Sequence, residues 1–160
     1  MSATLWRIAA DTKSYSADDL SGRGAKATGG RWNAVDHAIL YTSASRALAC
    51  LETFVHLNAG GLPLNRYLVE ITVSDAVWAA ARHVAAAELP VGWDAEPASK
   101  TSVDFGADWL VGGTSALLAV PSVIVPEEFN VLINPAHRDM AGVAARKARK
   151  WTYDPRLVKF

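Results

Sequence analysis

The sequence GGRWN at residues 29–33 is followed closely by ILYTS at residues 39–43. Two glycines before an arginine allow the backbone to approach a ligand, and the second segment has the composition of a short strand. Ser43 is placed to cap a helix, and apolar residues recur after it at helical spacing. The stretch therefore predicts a loop, a strand and a helix in succession, with a cation, a phenol and a carboxylate close together.

On either side of this stretch, the sequence predicts short strands separated by a loop and a helix. Residues 4–9 predict a first strand, and the Gly-, Ser-, Asp- and Lys-rich segment from there to Asn33 predicts a long loop. Such a loop in a compact domain tends to line a site. Residues 38–42 predict a strand and residues 44–57 a helix, which the residues from Asn58 onward end.

That helix has an apolar stripe facing the core. Its members are Leu48, Leu51 and Val55. Glu52 lies at the edge of the stripe, so the helix is expected to place a carboxylate next to buried surface.

The second half of the chain predicts more strands and one further helix. Residues 66–74 alternate apolar and polar side chains and predict the clearest strand. Residues 75–98 follow no consistent pattern, and their structure is left open. Thr101 and Asp104 resemble a capping box for a helix that ends near Val111 at two glycines.

The remaining segments predict short strands and a solvated tail. Strands are expected at residues 116–125 and 130–133, and a last one at residues 151–153. The basic residues between 138 and 150 favour a solvated helical face. With no repeat or linker, the organisation is a single α+β domain over residues 1–160.

Charge and composition exclude several classes of function. Sixteen basic residues balance sixteen acidic ones, so no net field draws the chain to nucleic acid or to an anionic membrane. No apolar run approaches the roughly 20 residues of a membrane span, and a cytoplasmic location is expected. The single cysteine, Cys50, excludes an intrachain disulfide and is expected to be a small buried hydrophobe.

Three side chains near the opening stretch are candidates for chemistry. Glu52, if partly buried, needs a polar partner and could stabilise a cationic transition state or act as a base. The Arg31 guanidinium could bind phosphate oxygens with two hydrogen bonds. Tyr41 could stack on a ligand ring and hydrogen-bond through its hydroxyl. Each has an ordinary structural interpretation, and the grouping alone is only suggestive.

Other catalytic patterns are missing from the sequence. No Gly-x-Gly-x-x-Gly motif joins a strand to a helix, and no phosphate-binding Gly-Lys-Ser/Thr loop occurs. Ser122 has no Gly-x-Ser-x-Gly surroundings, which argues against a hydrolase triad. The four histidines never approach one another at ligand spacing, so no metal site is expected.

The segment PSVIVPEEFNVLINP at residues 121–135 adds a resemblance. Together with Trp6-Arg7-Ile8, GGRWN, ILYTS and the helix around Glu52, it resembles the RES-domain toxins of bacterial Xre–RES toxin–antitoxin pairs. The ordered set covers most of the chain. It implies an ADP-ribosyltransferase-like fold, with two small, mostly antiparallel sheets and flanking helices around an NAD cleft.

The resemblance also implies roles for particular residues. The family's Arg, Tyr, Glu and Ser positions fall on Arg31, Tyr41, Glu52 and Ser122. Glu52 would stabilise the oxocarbenium-like transition state, Arg31 would hold the pyrophosphate, and Tyr41 and Ser122 would contact the nicotinamide end. Trp32 and Asn33 complete the implied NAD-binding set. NAD is the implied substrate, and no metal is implied.

The implied function is a toxin that cleaves the nicotinamide–ribose bond of NAD, depletes the cell of NAD and stops growth. An ADP-ribosyltransferase acting on a specific protein is the alternative, since water, phosphate or a protein side chain could each be the acceptor. A binding module without catalysis is a third reading. The implied partner is an Xre-type helix-turn-helix antitoxin, with no direct nucleic-acid or membrane contact; homodimerisation is left open.

Overall fold

Seven strands form one sheet in the computed structural model, which describes residues 3–57 and 60–158. The strands are β1 (Ala3–Ala10), β2 (Leu40–Ser43), β3 (Arg66–Val73), β4 (Arg82–His83), β5 (Leu117–Pro121), β6 (Phe129–Ile133) and β7 (Val143–Trp151). Their order is β4-β5-β6-β2-β1-β3-β7. All neighbours are antiparallel except β4 and β5, which are parallel.

Helices connect the strands. They are α1 (Arg23–Thr28), α2 (Arg46–Phe54), α3 (Asp75–Ala79) and α4 (Lys100–Gly112), with 3₁₀ turns at Ala86–Glu88, Arg138–Gly142 and Pro155–Val158. In the described part of the chain, every helix is too short or too polar to cross a bilayer. The predicted α+β class is confirmed.

The sheet consists of two halves that meet at a narrow seam. Strands β1, β3 and β7 form one half, and β4, β5, β6 and β2 form the other. The halves are joined through a single registered pair, Trp6 with Ser43, whereas β1 and β3 pair along their whole length. The expectation of two separate sheets is therefore wrong for the described residues, because this one pair makes the halves continuous.

Both faces of the sheet are buried, but differently. One face carries a single apolar cluster that includes Leu5, Ile71 and Leu117. The other face carries two clusters: one around Trp32 and Trp109 beneath α4, and one around Trp6, Ala49 and Tyr153 beneath α2. A gap between these two clusters is left above the seam. Alternation along the strands thus produces a cleft on one face.

The local patterns predicted several elements correctly. The first strand and the strand at residues 66–74 are confirmed as β1 and β3. The predicted helix at residues 44–57 is present over Arg46–Phe54, and its end after Asn58 lies outside the described residues. The residue that caps it is Ser45, whose hydroxyl accepts a hydrogen bond from the Leu48 amide at 3.1 Å.

Other predictions were wrong because distant contacts overrode the local pattern. The long loop before Asn33 contains helix α1, and the expected basic helix is strand β7, which pairs with β3 from Val143 to Trp151. Val55 was expected in the core and is 56% exposed. Helix α4 begins after Ser99, with Thr101 already inside it, although Gly113 does end it in a left-handed conformation as expected.

Candidate active site

A cleft of about 980 Å³ lies on the face of the sheet where the two halves meet. Strands β1 and β2, helix α2, the loop at residues 29–32 and the segments around Glu96 and Val123 form its walls. Small-molecule sites usually have volumes of about 300–1,000 Å³, so the cleft is large enough for a dinucleotide. Arg31, Trp32, Tyr41 and Glu52 of the predicted set all line it.

Glu52 is fixed in this cleft through one carboxylate oxygen. Its Oε1 accepts hydrogen bonds from the Ser122 hydroxyl at 2.7 Å and from the Asn130 side-chain amide at 2.6 Å. The carboxylate is partly buried, as the position beside the apolar stripe predicted. Two donors on Oε1 orient the group, and neither of them engages Oε2. The site therefore presents a preorganised negative charge to a ligand.

Ser122 belongs to the support of Glu52 rather than to the surface of the cleft. It is fully buried, and its hydroxyl accepts hydrogen bonds from the Ile124 and Val125 amides at 3.0 and 3.1 Å. A hydroxyl has one donor and two acceptor sites, so these two contacts direct its proton to Glu52. Ser122 therefore positions Glu52 in this structure, and its expected contact with the nicotinamide end stays a prediction.

Tyr41 connects the GGRWN loop to the sheet. Its hydroxyl donates to the Asn33 side-chain oxygen at 2.6 Å and accepts a hydrogen bond from the Trp32 amide at 3.0 Å. Burial raises the pKa of Tyr41 to about 12, against the opposing effect of its hydrogen bonds to Trp32 and Asn33. A Cβ on Gly30 would lie 2.7 Å from the Tyr41 hydroxyl, which explains the need for glycine there.

Asn33 is a structural residue in this arrangement. It is 1% exposed, and its amide nitrogen donates to the carbonyls of Ala25, Ala34 and His37 at 2.9–3.2 Å. The amide hydrogens of Asn33 are thereby engaged and its oxygen accepts from Tyr41, so the described contacts give the side chain a scaffolding role. The NAD contact that the resemblance implies at Asn33 stays a prediction.

Trp32 lies beneath the cleft with most of its ring covered. It is 3% exposed and packs against Trp93, with ring centroids 6.2 Å apart. Gly106 of α4 lies so close that an added Cβ would be 1.8 Å from the Trp32 carbonyl oxygen. This close packing fixes one wall of the cleft, which Trp32 lines.

The Arg31 guanidinium is engaged by the segment that precedes α4. Nη1 donates to the carbonyls of Trp93 and Ala95 at 3.1 and 2.7 Å, and Nη2 pairs with the Glu96 carboxylate at 2.9 Å. The Arg31 side chain is 18% exposed, whereas that of Glu96 is 79% exposed. Arg31 thus holds a wall of the cleft in place with three of its five N–H donors, and a ligand phosphate could bind the remaining donors or share the Glu96 contact.

A second arginine, Arg7, lies on the floor of the cleft. It is half-buried on β1, and its Nε is shielded from solvent without a hydrogen-bond partner in the described ranges. Burial lowers the pKa of the Arg7 guanidinium, while the nearby charge of Asp19 acts in the opposite direction. A shielded cationic donor without a partner is costly, so this arginine is suited to an anionic ligand.

Sequence reasoning did not select Arg7, Asn130 or Ser43 as site residues. Arg7 follows a strand pattern in which a polar residue between Trp6 and Ile8 is ordinary. Asn130 lies within the quoted 121–135 segment, but its contact with Glu52 depends on tertiary structure. For Asn130, the usable signal was its polar side chain at the start of the otherwise apolar strand predicted over residues 130–133.

Metal ligation has no support within the described ranges. Among residues 3–57 and 60–158, no group of three or more His, Cys, Asp or Glu side chains is close enough to bind a metal ion. Cys50 is partly buried, and burial raises the pKa of its thiol, which disfavours the reactive thiolate.

The α+β domain holds an oriented carboxylate and two arginines in one cleft. A site of this class suits a nucleotide that carries several negative charges. Residues 4–155 match the RES domain. The chain belongs to the RES-domain family, as its motifs suggested.

Individual relatives extend this finding over nearly the whole chain. The chain is 64% identical over 159 residues to the Prs ADP-ribosylating toxin of Sphingobium sp. (strain YBL2), with 99% of each chain covered. It is 34% identical over 154 residues to Toxin Res of Yersinia enterocolitica serotype O:8, covering 96% of this chain and 98% of the relative. Toxin Res of Photorhabdus laumondii is also 34% identical, over 149 residues, with 91% and 92% covered.

Tyr41→Phe should keep the ring in the cleft but destabilise the fold by about 1–3 kcal/mol, because Asn33 and the Trp32 amide lose a buried partner. The pKa of Tyr41 is about 12 in the folded chain and 10.0 ordinarily, so the unfolded chain loses the proton first. The hydroxyl's contribution is complete below pH 10 and declines toward pH 12. Urea unfolding of both proteins at pH 8 to about 12 measures this.

Tyr67→Phe is the control for loss of a phenol, since the Tyr67 ring packs at the edge of the core and is kept. We expect little change in stability from it. A wild-type advantage over Tyr41→Phe that stays constant across the alkaline range would contradict the assigned environment of the Tyr41 hydroxyl.

Proposed function

We propose that this protein is a toxin that cleaves the nicotinamide–ribose bond of NAD and transfers the ADP-ribosyl group. The observation that carries the proposal is the Glu52 carboxylate, fixed through Oε1 by Ser122 and Asn130 on the wall of a cleft of about 980 Å³. The names of its RES-domain relatives support a toxin, and one of them names ADP-ribosylation.

The chemistry requires one well-placed negative charge. As the bond from C1′ of the ribose to the nicotinamide nitrogen breaks, both bonding electrons leave with the nicotinamide and positive charge develops on the ribose. Glu52 would stabilise that charge or hold the ribose hydroxyls through Oε2. Nicotinamide departs as a neutral molecule, so no general acid is needed. The acceptor then adds to C1′ and releases its proton.

Two arginines could bind the diphosphate of NAD. Arg31 is the residue that the family resemblance assigns, and it already holds the segment around Glu96. Arg7 has a shielded Nε without a described partner and lines the same cleft. We propose that Arg7 binds the diphosphate directly, and that Arg31 contributes by holding the wall and by exchanging Glu96 for a phosphate oxygen.

The aromatic residues would orient the nicotinamide end. Tyr41 lines the cleft with its hydroxyl engaged by Asn33, so the face of its ring is what remains for stacking. Trp32 lines the same cleft and would support the ring of Tyr41 from the neighbouring wall. This arrangement, with the narrow seam between two half-sheets, supports an ADP-ribosyltransferase-like fold as part of the proposal.

A protein is the acceptor that we favour. The relative at 64% identity over nearly the full chain is named "Prs ADP-ribosylating toxin". Water is the second candidate, because the same carboxylate would serve hydrolysis and deplete NAD. Radiolabelled NAD, incubated with the protein with and without lysate, distinguishes them: a labelled protein band indicates transfer, and free ADP-ribose alone indicates hydrolysis.

We further propose that an Xre-type helix-turn-helix antitoxin silences the enzyme by covering the cleft. A cytosolic enzyme that consumes NAD requires such control in its own cell. A carboxylate of the partner could pair with Arg31 in the position that Glu96 occupies, and so compete with NAD.

Glu52→Gln should abolish toxicity and NAD turnover while preserving the fold. Gln has the same shape and can still accept from Ser122 and Asn130, but it lacks the charge, so the barrier should rise by about 2–4 kcal/mol. Nicotinamide release by the purified proteins measures this effect. Glu96→Gln, a loss of charge at the exposed rim of the same cleft, should retain turnover. Wild-type turnover in a folded Glu52→Gln protein would refute the mechanism.

Arg7→Met should weaken the binding of ADP-ribose at least about tenfold without lowering the thermal midpoint, because it removes a guanidinium whose shielded Nε has no hydrogen-bond partner in the described ranges. Arg31→Met should lower the midpoint, because it breaks three hydrogen bonds to residues 93–96. Calorimetric titration and thermal unfolding separate the two effects. Unchanged ADP-ribose affinity in Arg7→Met would exclude Arg7 from the diphosphate site.

Antitoxin binding should exclude NAD and protect the loop at residues 20–33 from hydrogen exchange. Exchange on the toxin alone and in complex, together with ADP-ribose affinity, tests this. A complex that binds ADP-ribose as tightly as the free toxin, with the loop unprotected, would mean that inhibition acts elsewhere.

A further inference from the structure

We infer that Asn130, held by Ser43, is a positioning residue that determines which oxygen of Glu52 faces the ligand. The inference rests on the proposed function, in which Glu52 acts on the ribose of NAD. It assigns a role to a pair of side chains on β2 and β6 that lie within the quoted motifs but were not predicted as site residues.

The hydrogen bonds of this pair have a fixed direction. A carboxylate only accepts, so the Asn130 amide nitrogen must face Glu52, where Nδ2 lies 2.6 Å from Oε1. The Asn130 oxygen then accepts from the Ser43 hydroxyl at 2.7 Å. The carboxylate disfavours a flipped amide, whose oxygen would face it, and the Ser43 hydroxyl stabilises the observed orientation by donating to the amide oxygen.

The backbone positions of the pair are set by the sheet. Asn130 of β6 is registered with Ser43 on one side and with Val120 on the other. Ser43 is itself registered with Trp6, in the pair that joins the two half-sheets. The Ser43 hydroxyl is buried, and both residues line the cleft. The orientation of Glu52 is therefore transmitted from the seam of the sheet.

Two donors on one oxygen have a chemical consequence. Ser122, just after β5, and Asn130 of β6 converge on Oε1, while Glu52 approaches from α2. Oε1 is therefore held by the protein, and Oε2 is the oxygen that is left to contact the ligand. Without Asn130, the carboxylate could rotate about the single contact with Ser122, and Oε2 would leave the orientation needed at the ribose.

Asn130→Asp is the most informative variant, because it replaces the donor with a second carboxylate of the same shape. Two carboxylates in contact share a proton, and while the introduced carboxyl holds it, its O–H can donate to Glu52 as the Asn130 amide does. At high pH both carboxylates are ionised and repel each other and the donor is lost, so nicotinamide release by Asn130→Asp should fall at high pH by at least about tenfold relative to the wild type. The other charged groups lining the cleft, Arg7, Arg31, His56 and Glu96, are common to both proteins.

Asn130→Ala and Ser43→Ala test whether Ser43 acts on Glu52 through Asn130. Loss of a donor to a charged group should reduce kcat by roughly tenfold to a hundredfold, with KM for NAD changed far less. Because Ser43 acts through Asn130, the double variant should be no worse than Asn130→Ala alone. Additive losses would overturn the inference.

Ser45→Ala is the matched control for stability. It removes the N-cap of α2, the helix that carries Glu52, without touching the Ser43–Asn130–Glu52 contacts. If Ser45→Ala, at an equal loss of unfolding free energy, impairs kcat as much as Asn130→Ala, the role of Asn130 is merely structural and the inference fails.

A readout that does not need turnover keeps this test separate from the proposed function. Carbon-13 NMR of labelled glutamate carboxyls reports the surroundings of the Glu52 carboxylate directly, with Glu52→Gln identifying its resonance. The Glu52 resonance should move in Asn130→Ala and in Ser43→Ala, and stay in place in Ser45→Ala. If the wild type releases no nicotinamide, the proposed function fails, and the NMR comparison alone then decides the inference. A Glu52 resonance that Ser43→Ala leaves unmoved overturns it in either case.

Discussion

A buried hydrogen bond of 2.6 Å between the Tyr41 hydroxyl and the Asn33 side-chain oxygen connects the sheet to the loop that forms one wall of the cleft. Asn33 extends the connection to helix α1 through the Ala25 carbonyl. Arg31, two residues earlier, then lies where it can hold the segment around Glu96. Each part of this wall is held by the part before it: the strand holds the loop, the loop positions the Arg31 guanidinium, and the guanidinium holds the segment around Glu96. A disturbance at Tyr41 is expected to spread outward through all of them.

The opposite wall depends on a different principle. Glu52 reaches the cleft from α2, but its orientation is imposed by residues on and just after two strands of the sheet. A helix alone leaves a glutamate side chain several rotamers. Contacts from outside the helix select one of them. The orientation of this carboxylate therefore comes from the sheet, even though the charged group belongs to a helix.

Local sequence patterns predicted those parts of the fold that local forces determine. The alternation in β3 and the apolar stripe beside Glu52 were readable, because each depends on residues a few positions apart. Strand β7 was not, because its basic sequence favours solvent and only pairing with β3 makes it a strand. Ser43 was taken for a helix cap, which is the ordinary local use of serine. Its contact with Asn130, 87 residues later in the chain, exists only in the folded sheet.

The two edges of the sheet limit how copies of this chain can associate. One edge is β4, a strand of two residues, which offers little backbone to pair with. The other is β7, nine residues long, with cations at Arg146, Lys147, Arg149 and Lys150. An identical edge placed alongside would bring like charges together. The protein is thereby protected against sheet-to-sheet aggregation, by shortness at one edge and by repulsion at the other.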